Sequence, residues 1–149
     1  MTGPEDLIKD LDLAPHPEGG WYRQTWIDET SEGRPTGTAI YYLLEAGQRS
    51  HWHRVDAVEI WHWYAGAPME LSLAASDEGP VEVHVLSGDF GRGHRPQCIV
   101  PKSWWQSARP IDGWSLVGCT VSPGFQFEGF ELAGPGWSPG KRETFTSQS

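Results

Sequence analysis

Residues 47–66 read GQRSHWHRVDAVEIWHWYAG, and most of what the chain can be follows from them. The segments 50–54 and 58–65 are dense in aromatic and β-branched residues, which favour a pleated, half-buried strand. The RVDA stretch marks a short break between them. On a strand, side chains two apart project to the same side, so His51 and His53 are expected to point together. Glu59 follows on the neighbouring strand and is expected to face the same space. Two imidazoles and a carboxylate converging on one point suit a divalent transition metal of the Zn, Fe, Ni or Mn kind. The same set suits acid–base catalysis without metal, a carboxylate tuning a histidine.

Outward from this stretch the chain repeats the pattern of strand, turn, strand. Strands are predicted at 21–27, 37–44, 50–54, 58–65, 69–75, 81–87, 96–100, 104–109, 114–122 and 126–132. The turn signals ETSEGRP, EAG, SDEG, SGDFGRG, PIDG and SPG separate them. Short strands at such regular spacing predict an all-β sandwich or barrel rather than any βαβ arrangement. In 38–44 both faces are apolar, so that strand is expected to be buried on both sides. In 81–87, Val81, Val83 and Val85 share one face and Glu82 and His84 the other. One helix is expected, at about 4–12: Pro4 suits a first turn, Glu5 and Asp6 suit its positive end, and Leu7, Ile8 and Leu11 form one stripe. PHPEGGWY ends it, and its prolines and glycines read as turn formers.

The 149 residues fit a single domain, with the barrel at about 20–134 and a polar tail at 138–149. Eighteen Gly, twelve Pro and nine Trp agree with many sharp turns between strands. The net charge of −9 argues against a nucleic-acid partner, which needs clustered Lys and Arg, and against an anionic membrane surface. No apolar run approaches the length of a membrane helix. MTGPEDLIKD lacks a basic start followed by an apolar run, so a cytoplasmic location is expected. Cys98 and Cys119 sit in apolar runs and read as small core residues rather than a disulfide. No phosphate-loop pattern occurs, so no nucleotide cofactor is expected.

Gly47, His51, His53, Glu59 and Gly66 occupy the places of the first cupin motif. Pro101, Ser103 and Gln106 occupy those of the second, with glutamine where metal cupins carry their last ligand histidine. The segments PHPEGGWYRQTW (15–26), TAIYYLL (38–44), SHWHRVDAVEIWHWYAGAP (50–68), VPKSWWQSA (100–108) and TVSPGFQFEGFELA (120–133) resemble, in order, the cupin family called cupin family five. That family is similar in fold to the dTDP-4-dehydrorhamnose 3,5-epimerase cupins. The resemblance implies a jelly-roll β-barrel with a short N-terminal helix, a homodimer, and a small-molecule pocket inside the barrel, but no particular substrate. Its pattern keeps His53-Arg54 and Glu59-x-Trp61-His62 more firmly than a histidine at position 51.

The expected site is therefore His53 as general base with Glu59 orienting it, and His51, Gln106, Trp61 and Tyr42 as ligand-binding residues. The expected chemistry is isomerase- or epimerase-like, acting on a carbohydrate-like or keto-acid substrate. Two alternatives use the same pocket: a metal enzyme holding its ion on His51, His53, Glu59 and Gln106, and a non-catalytic ligand-binding module. His62 and His84 are expected to face outward, and His16 and His94 to sit in loops.

Overall fold

In the computed structural model, residues 2–140 are described. The helix α1, Pro4–Asp10, opens on Pro4 with Glu5 and Asp6 in its first turn. It stops short of residue 12, because Leu11 leaves helical geometry and Asp12 turns to a φ of 56°. Leu7, Ile8 and Leu11 pack with Leu13, Leu43 and Leu116.

The strands are β1 Ala14–Pro15, β2 Trp21–Asp28, β3 Gly37–Leu44, β4 Ser50–Val55, β5 Val58–Gly66, β6 Met69–Ala74, β7 Val81–Leu86, β8 Gln97–Val100, β9 Trp105–Pro110, β10 Ser115–Ser122 and β11 Phe130–Leu132. They form two antiparallel sheets in the orders β1-β2-β3-β10-β5-β8 and β11-β4-β9-β6-β7. The strand predicted at 126–132 is shorter than expected. Phe127–Gly129 forms a 3-10 turn instead, where Phe125, Phe127 and Phe130 pack edge-on to one another. Strand β1 was not predicted; it is a two-residue pairing with β2. Strand β7 is an edge, and its Val81 and Val83 face solvent. Of the tail expected at 138–149, residues 141–149 lie outside the described residues, while the Gly140 N–H bonds to the Asp77 carbonyl at 2.7 Å.

The barrel interior is filled at one end and hollow at the other. Along β3 the inward row runs Thr38, Ile40, Tyr42, Leu44; along β10 it runs Val121, Cys119, Val117; along β5 it runs Glu59, Trp61. The later members of each row join Leu71, Leu73, Met69 and Leu86 in one closed core. The earlier members line a cavity of about 260 Å³. Each fully buried Leu or Val at the packed end contributes about 1.5–3 kcal/mol by leaving water. Both cysteines are free thiols. Among the described residues no helix is long and apolar enough to cross a membrane.

Candidate functional site

The floor of the cavity is built by three elements. His53 comes from β4, Glu59 from β5, and His16 and Glu18 from the loop between β1 and β2. That loop folds inward because its backbone is pinned. The His51 N–H donates to the Glu18 carbonyl at 3.0 Å. Gly19 and Gly20 follow at φ 111° and 80°. A Cβ on Gly20 would lie 2.6 Å from Leu44 Cδ2 and 2.7 Å from the Leu43 carbonyl oxygen. Only glycine reaches this conformation in this space. Gly20→Ala is therefore expected to destabilise the fold by about 1–2 kcal/mol from backbone strain alone, more with the clash. A urea titration reads this directly.

Glu18 is 8% exposed, yet it carries three contacts that define the site. Ser50 Oγ donates to Glu18 Oε1 at 2.8 Å. Glu18 Oε2 lies 3.2 Å from His53 Nε2. The Glu18 backbone N–H donates to His16 Nδ1 at 3.1 Å. Each histidine tautomer follows. His53 Nδ1 is 2.8 Å from the His51 carbonyl oxygen; a carbonyl can only accept, so Nδ1 carries a proton. His53 Nε2 thus meets Glu18 with its lone pair or a second proton. His16 Nδ1 accepts a backbone N–H, so the proton of this imidazole sits on Nε2.

Burial sets the proton affinities. It lowers the His53 and His16 pKa and raises that of Glu18. All three shifts favour the uncharged forms over a charge-separated pair across the 3.2 Å Glu18–His53 contact. Glu59 is raised to about 7, first by burial and then by the nearby Glu18, with His53 opposing. Beneath Glu59, Gln106 Nε2 donates to Glu59 Oε1 at 2.9 Å, and Trp61 Nε1 donates to Gln106 Oε1 at 2.7 Å. Gln106→Leu would leave the buried indole N–H without an acceptor. We expect a loss of about 1–3 kcal/mol, read as a lower urea midpoint, and a further rise of the Glu59 pKa.

The sequence-predicted residues fall into distinct places. His53 and Glu59 line the same cavity. Gln106 and Trp61 lie under Glu59, within the packed interior. Tyr42 is fully buried; its hydroxyl donates to the Gly19 carbonyl, and its ring stands edge-on to His16 at 5.4 Å. His51 does not join them. Ser50 stands opposite Ala108 and His53 opposite Gln106, so β4 spends one residue more than β9. This bulge breaks the two-residue alternation. His51 Nε2 instead lies 2.9 Å from the Gly134 carbonyl oxygen. The expected orientation of His53 by Glu59 is also replaced: Glu18 and the His51 carbonyl hold the ring. His62 meets Thr120 and Gln97 on the outer side of its sheet. His16, expected in a loop without a role, lines the cavity.

A metal set of His51, His53, Glu59 and Gln106 does not assemble. His51 is turned away, both His53 nitrogens are engaged, and the Gln106 amide oxygen accepts from Trp61. Among the described residues no group of three His, Cys, Asp or Glu is arranged to hold an ion.

Glu18 is the residue that sequence reasoning missed. An acid between proline and two glycines reads as part of an exposed turn. The available signal was the resemblance over PHPEGGWY, not any periodicity.

Two antiparallel sheets rolled around an internal cavity make the jelly-roll barrel of a cupin. The chain belongs to the family described as Cupin superfamily (DUF985), whose pattern matches residues 5–133. A crystal structure of a protein from Shewanella oneidensis is 42% identical, covering 89% of this chain and 85% of that one, with a TM-score of 0.84. A hypothetical protein from Leishmania major is 30% identical over 89% of this chain and 88% of that one, with a TM-score of 0.79. Oxalate decarboxylase from Bacillus subtilis shares the fold at 11% identity, covering 83% of this chain and 31% of that one, with a TM-score of 0.63. No match was found among curated proteins.

Proposed function

We propose that the barrel binds a small carbonyl compound and moves a proton on it, as an isomerase or epimerase does. The observation that carries this reading is the 3.2 Å contact between Glu18 Oε2 and His53 Nε2, close enough to share a proton, in a cavity that Glu59 also lines. A general acid and a general base work best with pKa values near the working pH, and Glu59 at about 7 meets that condition. In this reading Glu59 takes the proton beside the carbonyl. The carbonyl oxygen takes the Glu18–His53 proton, giving a neutral enediol. Return of both protons, to the other face or to the adjoining carbon, leaves the substrate with the atoms and electrons it entered with.

The test is incubation of purified protein with small carbonyl sugars in deuterated water, followed by proton NMR. Loss of the signal beside the carbonyl, absent without protein, supports the reading. Ligand binding with no exchange for any sugar contradicts it and favours a non-catalytic binding module.

The partner in this reading is a second copy of the chain. The outer face of the six-stranded sheet carries Trp26, Val58, Tyr64 and Ile99 exposed around Ile60. Such a band on one sheet face is typical of a protein–protein contact. Light scattering is expected to give a dimer mass, and Ile99→Asp a smaller one.

A further inference from the structure

Resting on the proton-transfer reading of this cavity, we infer that its ligand is an uncharged, hydroxyl-bearing molecule of free-monosaccharide size, and not a keto acid, a sugar phosphate or a nucleotide sugar. Three observations carry this.

The first is charge. The residues lining the cavity include Glu18 and Glu59 and no Lys or Arg. Arg34 is bonded to both Asp56 oxygens and the Gly124 carbonyl, and Arg54 to Glu131, so neither is free to turn to the cavity. A carboxylate or phosphate entering would find no cation to pair with. It would also meet two groups that become anionic as they ionise, and a buried anion without a partner is strongly disfavoured.

The second is the kind of hydrogen-bonding group left open. His16 is 6% exposed at its side chain, and its Nε2–H has no partner among the described residues. Thr38 Oγ accepts from the Phe125 N–H, which leaves the hydroxyl proton to give. Glu59 accepts from Gln106 at Oε1 and meets the Cys119 thiol, a weak donor, so its carboxyl keeps capacity to accept from a ligand. Two donors and an acceptor around one cavity suit hydroxyl groups, which both give and take. An ammonium ligand could only give, and both donors would stay unanswered.

The third is size and wall. At about 260 Å³ the cavity lies just below the usual range of ligand pockets, which suits one compact sugar ring better than a nucleotide. Ile40, Val55, Val121 and Phe125 supply apolar walls, against which the C–H face of a sugar packs.

The experiment compares uncharged and anionic forms of the same skeleton. D-mannose, D-fructose, their terminal phosphate esters and glucuronate are offered to the wild-type protein. Saturation-transfer NMR reads binding, and proton NMR in deuterated water reads exchange. We expect at least one free sugar to bind, with its phosphate ester or uronate weaker by about 100-fold or more. Gln24→Arg, which places a cation at the rim, is expected to narrow that gap about tenfold. Phosphate esters or glucuronate binding as well as the free sugars would overturn the inference and leave proton transfer standing. Free sugars that bind without exchange would support it and contradict proton transfer. No binding by any probe would overturn both.

Discussion

Alanine at His53 is expected to slow solvent exchange into a bound carbonyl sugar by about 10²–10⁴-fold, the usual worth of a positioned proton carrier. The imidazole meets Glu18 Oε2 at 3.2 Å through Nε2, while the His51 carbonyl holds its Nδ1. Without it, Glu18 has no imidazole with which to exchange a proton. Glu18 remains held by Ser50 Oγ, so the fold should survive, and circular dichroism will show whether it has. Glu18→Gln should give a loss of similar size, because an amide cannot share a titrating proton. Exchange at the wild-type rate in the His53→Ala protein would remove the imidazole from the proton path.

The second large effect concerns stability against pH. The Glu59 pKa rises from 4.5 to about 7 on folding. Its contribution is fully present below pH 4.5 and is lost as pH rises through about 7, because ionising the buried carboxyl favours unfolding. The loss is on the order of 3 kcal/mol, which at this chain length corresponds to roughly 10 °C in Tm. His53 acts in the opposite sense. Its pKa is lowered from 6.5 by burial, so its contribution is present above 6.5 and is lost as pH falls through the folded value. The two overlap, and Glu59→Gln separates them. Glutamine keeps an oxygen for Gln106 and cannot ionise. The difference between variant and wild-type stability should therefore rise in favour of the variant from pH 5 to pH 8. A difference that stays flat across that range would mean that Glu59 ionises as an ordinary surface carboxylate.

The fold was legible because turn chemistry is local. Gly-, Pro- and Asp-rich breaks mark where strands stop, whatever the strands later pair with. The errors came where a tertiary contact overrides the local pattern. FQFEGF alternates like a strand, but Phe125, Phe127 and Phe130 gain more by packing on one another in a turn. His51 and His53 satisfy the two-residue spacing, but the bulge against β9 turns His51 out to Gly134. A bulge depends on the partner strand, which the segment itself does not encode. Glu18 was hidden for the same reason. It enters the barrel because Gly20 fits beside Leu43 and Leu44 and because the His51 N–H takes its carbonyl. His53 and Glu59 were legible through motif position. The Glu18–His53 contact, between a loop and a distant strand, was not.

That contact is also where the account is most exposed. Long-range proton–nitrogen NMR of the histidine rings reads it directly. His53 should show a proton on Nδ1 throughout, with an Nε2 that titrates below 6.5 and shifts in Glu18→Gln. A His53 ring protonated on Nε2 alone, titrating at 6.5 and indifferent to Glu18→Gln, would contradict a shared proton at the barrel floor.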